Sequence, residues 1–170
     1  RYYKKIKGKE CKSFTNKKWT TWKADRVIDL KGACVTPGLV DMHCHLREPG
    51  GEYKETIKTG TASAAKGGYT SICPMPNTNP VVSSIDMAID IEKKAASYGL
   101  AHIFQVVSIT KNFEGTDVSH LNNITPRYIP VISEDGHYVL SASVMLEGMR
   151  IAAAKNCIVS CHCEDPSLAS

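Results

Sequence analysis

From Pro37-Gly38 onward the chain repeats one rhythm: a short apolar run, a polar or proline-rich loop, then a helix-forming stretch that stops near glycine. The apolar runs predict strands over residues 39–43, 69–73, 102–107, 128–132 and 157–161. Helices are expected over about 53–65, 83–98 and 143–155, with Gly67-Gly68 and Gly99 where a glycine follows a helix end. Ser83 with Asp86 three residues later reads as the start of the second helix. The connection before the fourth strand carries no clear helix. Strands that alternate with helices imply right-handed crossovers and a parallel sheet. The unit length, on the order of 30 residues, is one-eighth of a (β/α)₈ barrel of about 250 residues. An open doubly wound sheet fits the same rhythm, but its first loop should read Gly-x-Gly-x-x-Gly, and here it reads His-Cys-His-Leu-Arg-Glu-Pro-Gly. The expected fold class is therefore α/β, a TIM barrel to which this chain supplies about five βα units.

Residues 1–35 read differently, as the N-terminal part of a small β domain, with 36–170 as the first portion of the barrel. Val27-Ile28-Asp29-Leu30 predicts a strand and Lys31-Gly32 a turn, after which Ala33-Cys34-Val35 resumes an extended run. Residues 1–31 hold eleven Lys/Arg against three Asp/Glu, a balance of +8, whereas the remainder carries −4. No nucleic-acid motif accompanies these lysines, so they read as a solvated surface and no nucleic-acid partner is expected. No apolar run reaches membrane-span length, and the lysine-rich start lacks the apolar segment of a signal peptide. The expectation is a cytoplasmic protein without membrane association. Seven cysteines, an odd number, argue for reduced thiols rather than a disulfide scaffold.

The residues that carry chemistry fall where strands run into loops. His43 and His45 end the first strand and, at period 2, project to one side, with Cys44 on the other. Asn77 follows the second strand, Asp135 the fourth and His162 the fifth. In a barrel these strand ends share one rim, where active sites lie. Three imidazoles and a carboxylate suit zinc, and the two oxygens of Asp135 allow one ion or a bridged pair. Such a centre supplies hydroxide near neutral pH and polarises a carbonyl, the chemistry of hydrolysis at an amide-like bond. The alternation that turns the histidines inward turns Cys44, Cys161 and Cys163 into the helix layer, so the thiols stay outside the site. Met145 and Met149 read as core packing, His102 and His137 as structural, and His120 as exposed.

The stretch from Val35 to Gly50, with its Pro-Gly-Leu-Val-Asp-Met-His-Cys-His-Leu-Arg-Glu-Pro-Gly run, resembles the signature of class I dihydroorotases in the amidohydrolase superfamily. Glu55 to Gly68, Met75-Pro76-Asn77-Thr78, Glu134-Asp135-Gly136 and His162-Cys163-Glu164-Asp165 follow in that family's order. The resemblance covers Val27 to the end. It implies a metal-dependent hydrolase that reversibly cyclises N-carbamoyl-L-aspartate to L-dihydroorotate in de novo pyrimidine biosynthesis. His43, His45, Asp135 and His162 would hold one or two zinc ions, and His45, Arg47 and Asn77 would bind substrate, with Arg47 offering its planar fork to a carboxylate. Many relatives bridge their metals with a carbamylated lysine on the fourth strand. No lysine lies between Tyr128 and Gly136, which leaves Asp135, with Glu134 as its rival.

The family takes a further histidine from the sixth strand and a proton-shuttling aspartate from the eighth, beyond Ser170. The chain is therefore expected to be one part of a longer polypeptide or to pair with a second fragment, and to be inactive and unstable alone. Beside the carbamoyl aspartate/dihydroorotate substrate, a homo-oligomer or an aspartate transcarbamoylase is an expected partner. Two other readings stand: a hydantoinase- or allantoinase-type cyclic amidohydrolase, and a non-catalytic scaffold for a transcarbamoylase. Arg47 with Asn77 favours a substrate that bears a carboxylate.

Overall fold

The structure is a computed structural model that describes residues 3–5, 10–15, 18–23, 28, 30–164 and 168. The chain divides into two compact units, Arg1–Pro37 and Gly38–Ser170. In the first, β1 (Tyr3–Lys5), β2 (Glu10–Thr15) and β3 (Lys18–Lys23) form an antiparallel meander in which Phe14 pairs with Trp19 and Cys11 with Trp22. Aromatic and β-branched residues suit such a pleated surface. The turn expected at Lys31-Gly32 is present, closed by a 2.9 Å bond from Ala33 N–H to Leu30 O. The strand expected just before it is not seen at Ile28 and Leu30, and Val27 and Asp29 lie outside the described residues.

In the second unit, β4 (Leu39–Cys44), β5 (Tyr69–Pro74) and β6 (His102–Ile103) pair in parallel, as do β7 (Val107–Ser108), β8 (Val131–Ser133) and β9 (Ile158–Ser160). Helices α1 (Ile57–Lys66), α2 (Ile85–Tyr98) and α3 (Ala142–Ala154) connect them. Spatial order follows chain order, as in the opening units of a (β/α)₈ barrel. Side-chain parity divides the packing. Ile72, Ile103, Val107 and Ile132 meet Ile57, Ala88, Ile91, Ala95 and Ala152 of the helices, while Cys73, Met75, Val106 and Val131 make a separate cluster. Burial of each large aliphatic side chain contributes about 1.5–3 kcal/mol.

Local chemistry moves several boundaries. α1 starts at Ile57 rather than near 53 because Thr56 caps it. The Thr56 hydroxyl accepts from Thr59 N–H and Thr59 Oγ1 accepts from Thr56 N–H, both at 3.1 Å. Ser84, not Ser83, caps α2, because Ser83 is buried and bonds Asn112 Oδ1 at 2.9 Å. Gly99 adopts the left-handed conformation (φ 63°) that stops α2. Met145 packs half-buried against the core as expected, whereas Met149 is exposed.

The third strand, expected unbroken, is interrupted. Phe104 N–H bonds Ile72 O at 2.9 Å and Val106 N–H bonds Pro74 O at 3.1 Å, but the intervening Gln105 N–H turns to the Glu92 carboxylate at 3.1 Å. The two-residue spacing is that of a regular parallel ladder, in which Gln105 N–H points to the opposite edge, and the break between β6 and β7 falls beside Pro74, which has no N–H to return to Phe104 O. Burial pushes the Glu92 carboxyl from an ordinary 4.5 to about 7, against the lowering effect of the Gln105 N–H. An acid raised in the folded state favours folding while protonated, so its contribution is complete below the unfolded pKa and is lost as pH rises through about 7. Glu92→Gln keeps an acceptor for Gln105. In the whole protein it should raise stability at pH 8 by about 1 kcal/mol, a value discounted for the half-exposed site. Denaturant titrations at pH 5 and pH 8 read this directly. An unchanged pH slope in the variant assigns the dependence to another group.

Candidate metal centre

β4 delivers His43 and His45 to one side of the chain, as period-2 geometry requires, and they meet edge to face with ring centroids 5.3 Å apart. Asp135, just past β8, lies between them. Its Oδ1 is 3.2 Å from His43 Nε2 and its Oδ2 is 3.6 Å from His45 Nε2. One ligand-type atom from each of these three residues falls within 4.8 Å of the others. Two imidazoles and a carboxylate that close together fit a divalent metal ion, and His43, 48% exposed, leaves the cluster open to solvent. Asp135 itself is buried, with its backbone N–H on Ser133 Oγ at 3.1 Å.

His162 approaches the same carboxylate, with Nδ1 3.6 Å from Asp135 Oδ1. Its Nε2 pairs with Glu164 at 2.6 Å, a partner the sequence reading missed. The signal was available: two residues apart on extended chain, the side chains share a side. Asn77 joins the cluster too. Its Oδ1 is 3.1 Å from His45 Nδ1 and its Nδ2 donates to Asp135 Oδ2 at 2.9 Å.

The two acids after β8 diverge. Glu134 Oε2 accepts from Ile109 N–H at 2.8 Å and Thr110 N–H at 2.9 Å, and Oε1 accepts from the Thr110 hydroxyl. Burial pushes its carboxyl up, and these hydrogen bonds oppose that shift. Glu134 thus ties the loop after β7 to the end of β8 and turns away from the histidines, leaving Asp135 to face them.

Arg47 has φ 59°, a left-handed conformation that costs a non-glycine residue roughly 1–2 kcal/mol. Its surroundings hold it there. A Cβ on Gly51 would sit 2.7 Å from Arg47 O, so glycine is required for that approach. The neighbouring Glu48 is buried, with Oε2 accepting from Ile57 N–H at 2.8 Å at the start of α1 and Oε1 paired to Lys94 of α2. No side-chain hydrogen bond or ion pair engages the Arg47 guanidinium among the described residues.

The thiols stay out of the cluster, as expected. Cys44 is half-buried, and burial, with Asp41 and Cys73 nearby, pushes its thiol up to about 12, while Cys161 and Cys163 are exposed. His120 is not exposed as expected. It is half-buried, Nε2 bonds Ser108 O at 2.9 Å, and burial lowers its pKa. His137 stacks on Phe113 with centroids 4.5 Å apart, and His102 is exposed. No helix among the described residues is long and apolar enough to cross a membrane.

Parallel βα units in barrel order, with histidines and a carboxylate gathered at their strand ends, define part of an amidohydrolase-type TIM barrel. Solved structures agree on the fold. An L-hydantoinase (dihydropyrimidinase) from Arthrobacter aurescens superposes with a TM-score of 0.68 at 18% identity, over 94% of this chain and 38% of the other. The dihydroorotase of Saccharomyces cerevisiae, in complex with 5-fluoroorotic acid, gives 0.61 at 17% identity, over 80% and 39%. The chain belongs to the dihydroorotase-like family, whose model matches residues 32–170. It is similar to the dihydroorotase of Staphylococcus epidermidis, 38% identical over 163 residues that cover 96% of this chain. Those of Ruminiclostridium cellulolyticum and Staphylococcus aureus are 43% and 44% identical, each over 84% of this chain. The chain spans between 33% and 38% of the length of these relatives.

Proposed function

We propose that the protein carrying this chain is a zinc-dependent dihydroorotase, a cytoplasmic enzyme that interconverts N-carbamoyl-L-aspartate and L-dihydroorotate in pyrimidine biosynthesis. The observation that carries this reading is the convergence of His43, His45 and Asp135, from two strand ends about 90 residues apart, in a chain of this family. In this reading His43, His45, Asp135 and His162 hold one or two ions. When bound, zinc polarises the ring amide carbonyl and makes hydroxide available near neutral pH. The chain's own residues supply position. Arg47 and Asn77 bind the substrate carboxylate, Arg47 with its planar fork. Proton transfer to the departing nitrogen is assigned to an aspartate outside this chain, supplied by the rest of the polypeptide or a second fragment.

The three relatives that share 38–44% identity are dihydroorotases, which favours dihydroorotate over a hydantoin. Ring opening of dihydroorotate by the whole protein should disappear on chelation and return with zinc. Preferred hydrolysis of hydantoin or allantoin would replace the substrate in this reading. Absence of turnover on all three rings would leave a scaffold.

A further inference from the structure

The amide of Asn77 spans two of the proposed metal-holding side chains, with Oδ1 toward His45 Nδ1 at 3.1 Å and Nδ2 toward Asp135 Oδ2 at 2.9 Å. An ionised carboxylate can only accept, so the amide nitrogen must face Asp135 and the amide oxygen must face His45. A carbonyl oxygen also only accepts, so a neutral His45 must carry its proton on Nδ1. The lone pair is then on Nε2, the atom that faces Asp135 Oδ2 at 3.6 Å. Gly136 (φ 79°) leaves room for the amide, since a Cβ there would come within 3.3 Å of Asn77 Nδ2.

We propose that Asn77 is a positioning residue of the metal centre, which fixes the His45 tautomer and the Asp135 carboxylate in one hydrogen-bonded chain. The inference rests on the zinc-hydrolase reading and deepens it. It adds to a substrate contact rather than replacing one, because the amide has two N–H groups and Asp135 takes only one. The partner of a ligand's distal nitrogen sets ring orientation and basicity, and loss of such a partner weakens metal affinity about 10- to 100-fold.

The test is zinc titration of the whole protein and its Asn77→Ala variant, with nitrogen-15 shifts of the His45 ring recorded in the metal-free protein at pH 8. Weaker zinc binding in Asn77→Ala by about 10- to 100-fold is expected. The wild-type ring should be protonated on Nδ1, as should that of Asn77→Asp, which retains an oxygen for His45. Asn77→Ala should show a shift toward the other tautomer, a change that a general packing defect would not produce. Equal zinc affinity in wild type and Asn77→Ala, or a wild-type His45 protonated on Nε2, overturns the inference while leaving the zinc reading intact. A wild-type protein without zinc affinity overturns that reading and the inference with it.

Discussion

Asp135→Asn is expected to lower kcat/KM for dihydroorotate in the whole protein by on the order of 1,000-fold or more. Asp135 is the common acceptor of the site. One oxygen faces His43 and His162, the other His45 and Asn77. The substitution keeps the volume but removes the anion that offsets a divalent charge, and it replaces one of the two acceptor oxygens with an N–H₂ donor. Zinc content should fall together with activity, while the far-ultraviolet circular dichroism spectrum stays unchanged because β8 and its Ser133 contact do not depend on the carboxylate. Full zinc content with activity lost would make Asp135 a group acting on substrate instead of a ligand.

Arg47→Ala should produce the opposite signature: loss of turnover with metal retained. A bidentate, charge-assisted contact to a carboxylate accounts for about 3–4 kcal/mol, which corresponds to a fall of about 100- to 1,000-fold in kcat/KM. Arg47→Lys should recover only part of this, because an ammonium lacks the planar fork. Loss of zinc in Arg47→Ala would mean that the arginine supports the metal centre rather than the substrate. Steady-state kinetics with parallel metal analysis separates the two outcomes.

Much of this architecture was legible because it depends on period and punctuation. Gly99 stops α2 where a glycine just past the last turn predicts it, and the alternation in His43-Cys44-His45 separates imidazoles from thiol as observed. What escaped depends on partners distant in sequence. Nothing in the apolar run 102–107 announces that Glu92, on the preceding helix, accepts from Gln105 N–H. The half-buried His120 is fixed by the carbonyl of Ser108, twelve residues back, which periodicity cannot reveal. The rivalry of Glu134 and Asp135 was open for the same reason. Strand alternation allows either acid to face the histidines, and the backbone N–H groups of Ile109 and Thr110 capture Glu134.

The proposed zinc centre is tested by anomalous diffraction at the zinc edge from crystals of the whole protein grown without chelator. A peak is expected about 2.0–2.2 Å from Nε2 of both His43 and His45 and from an Asp135 oxygen. A peak held by Cys161 and Cys163, or no peak beside His43 and His45 in zinc-replete crystals, would contradict it.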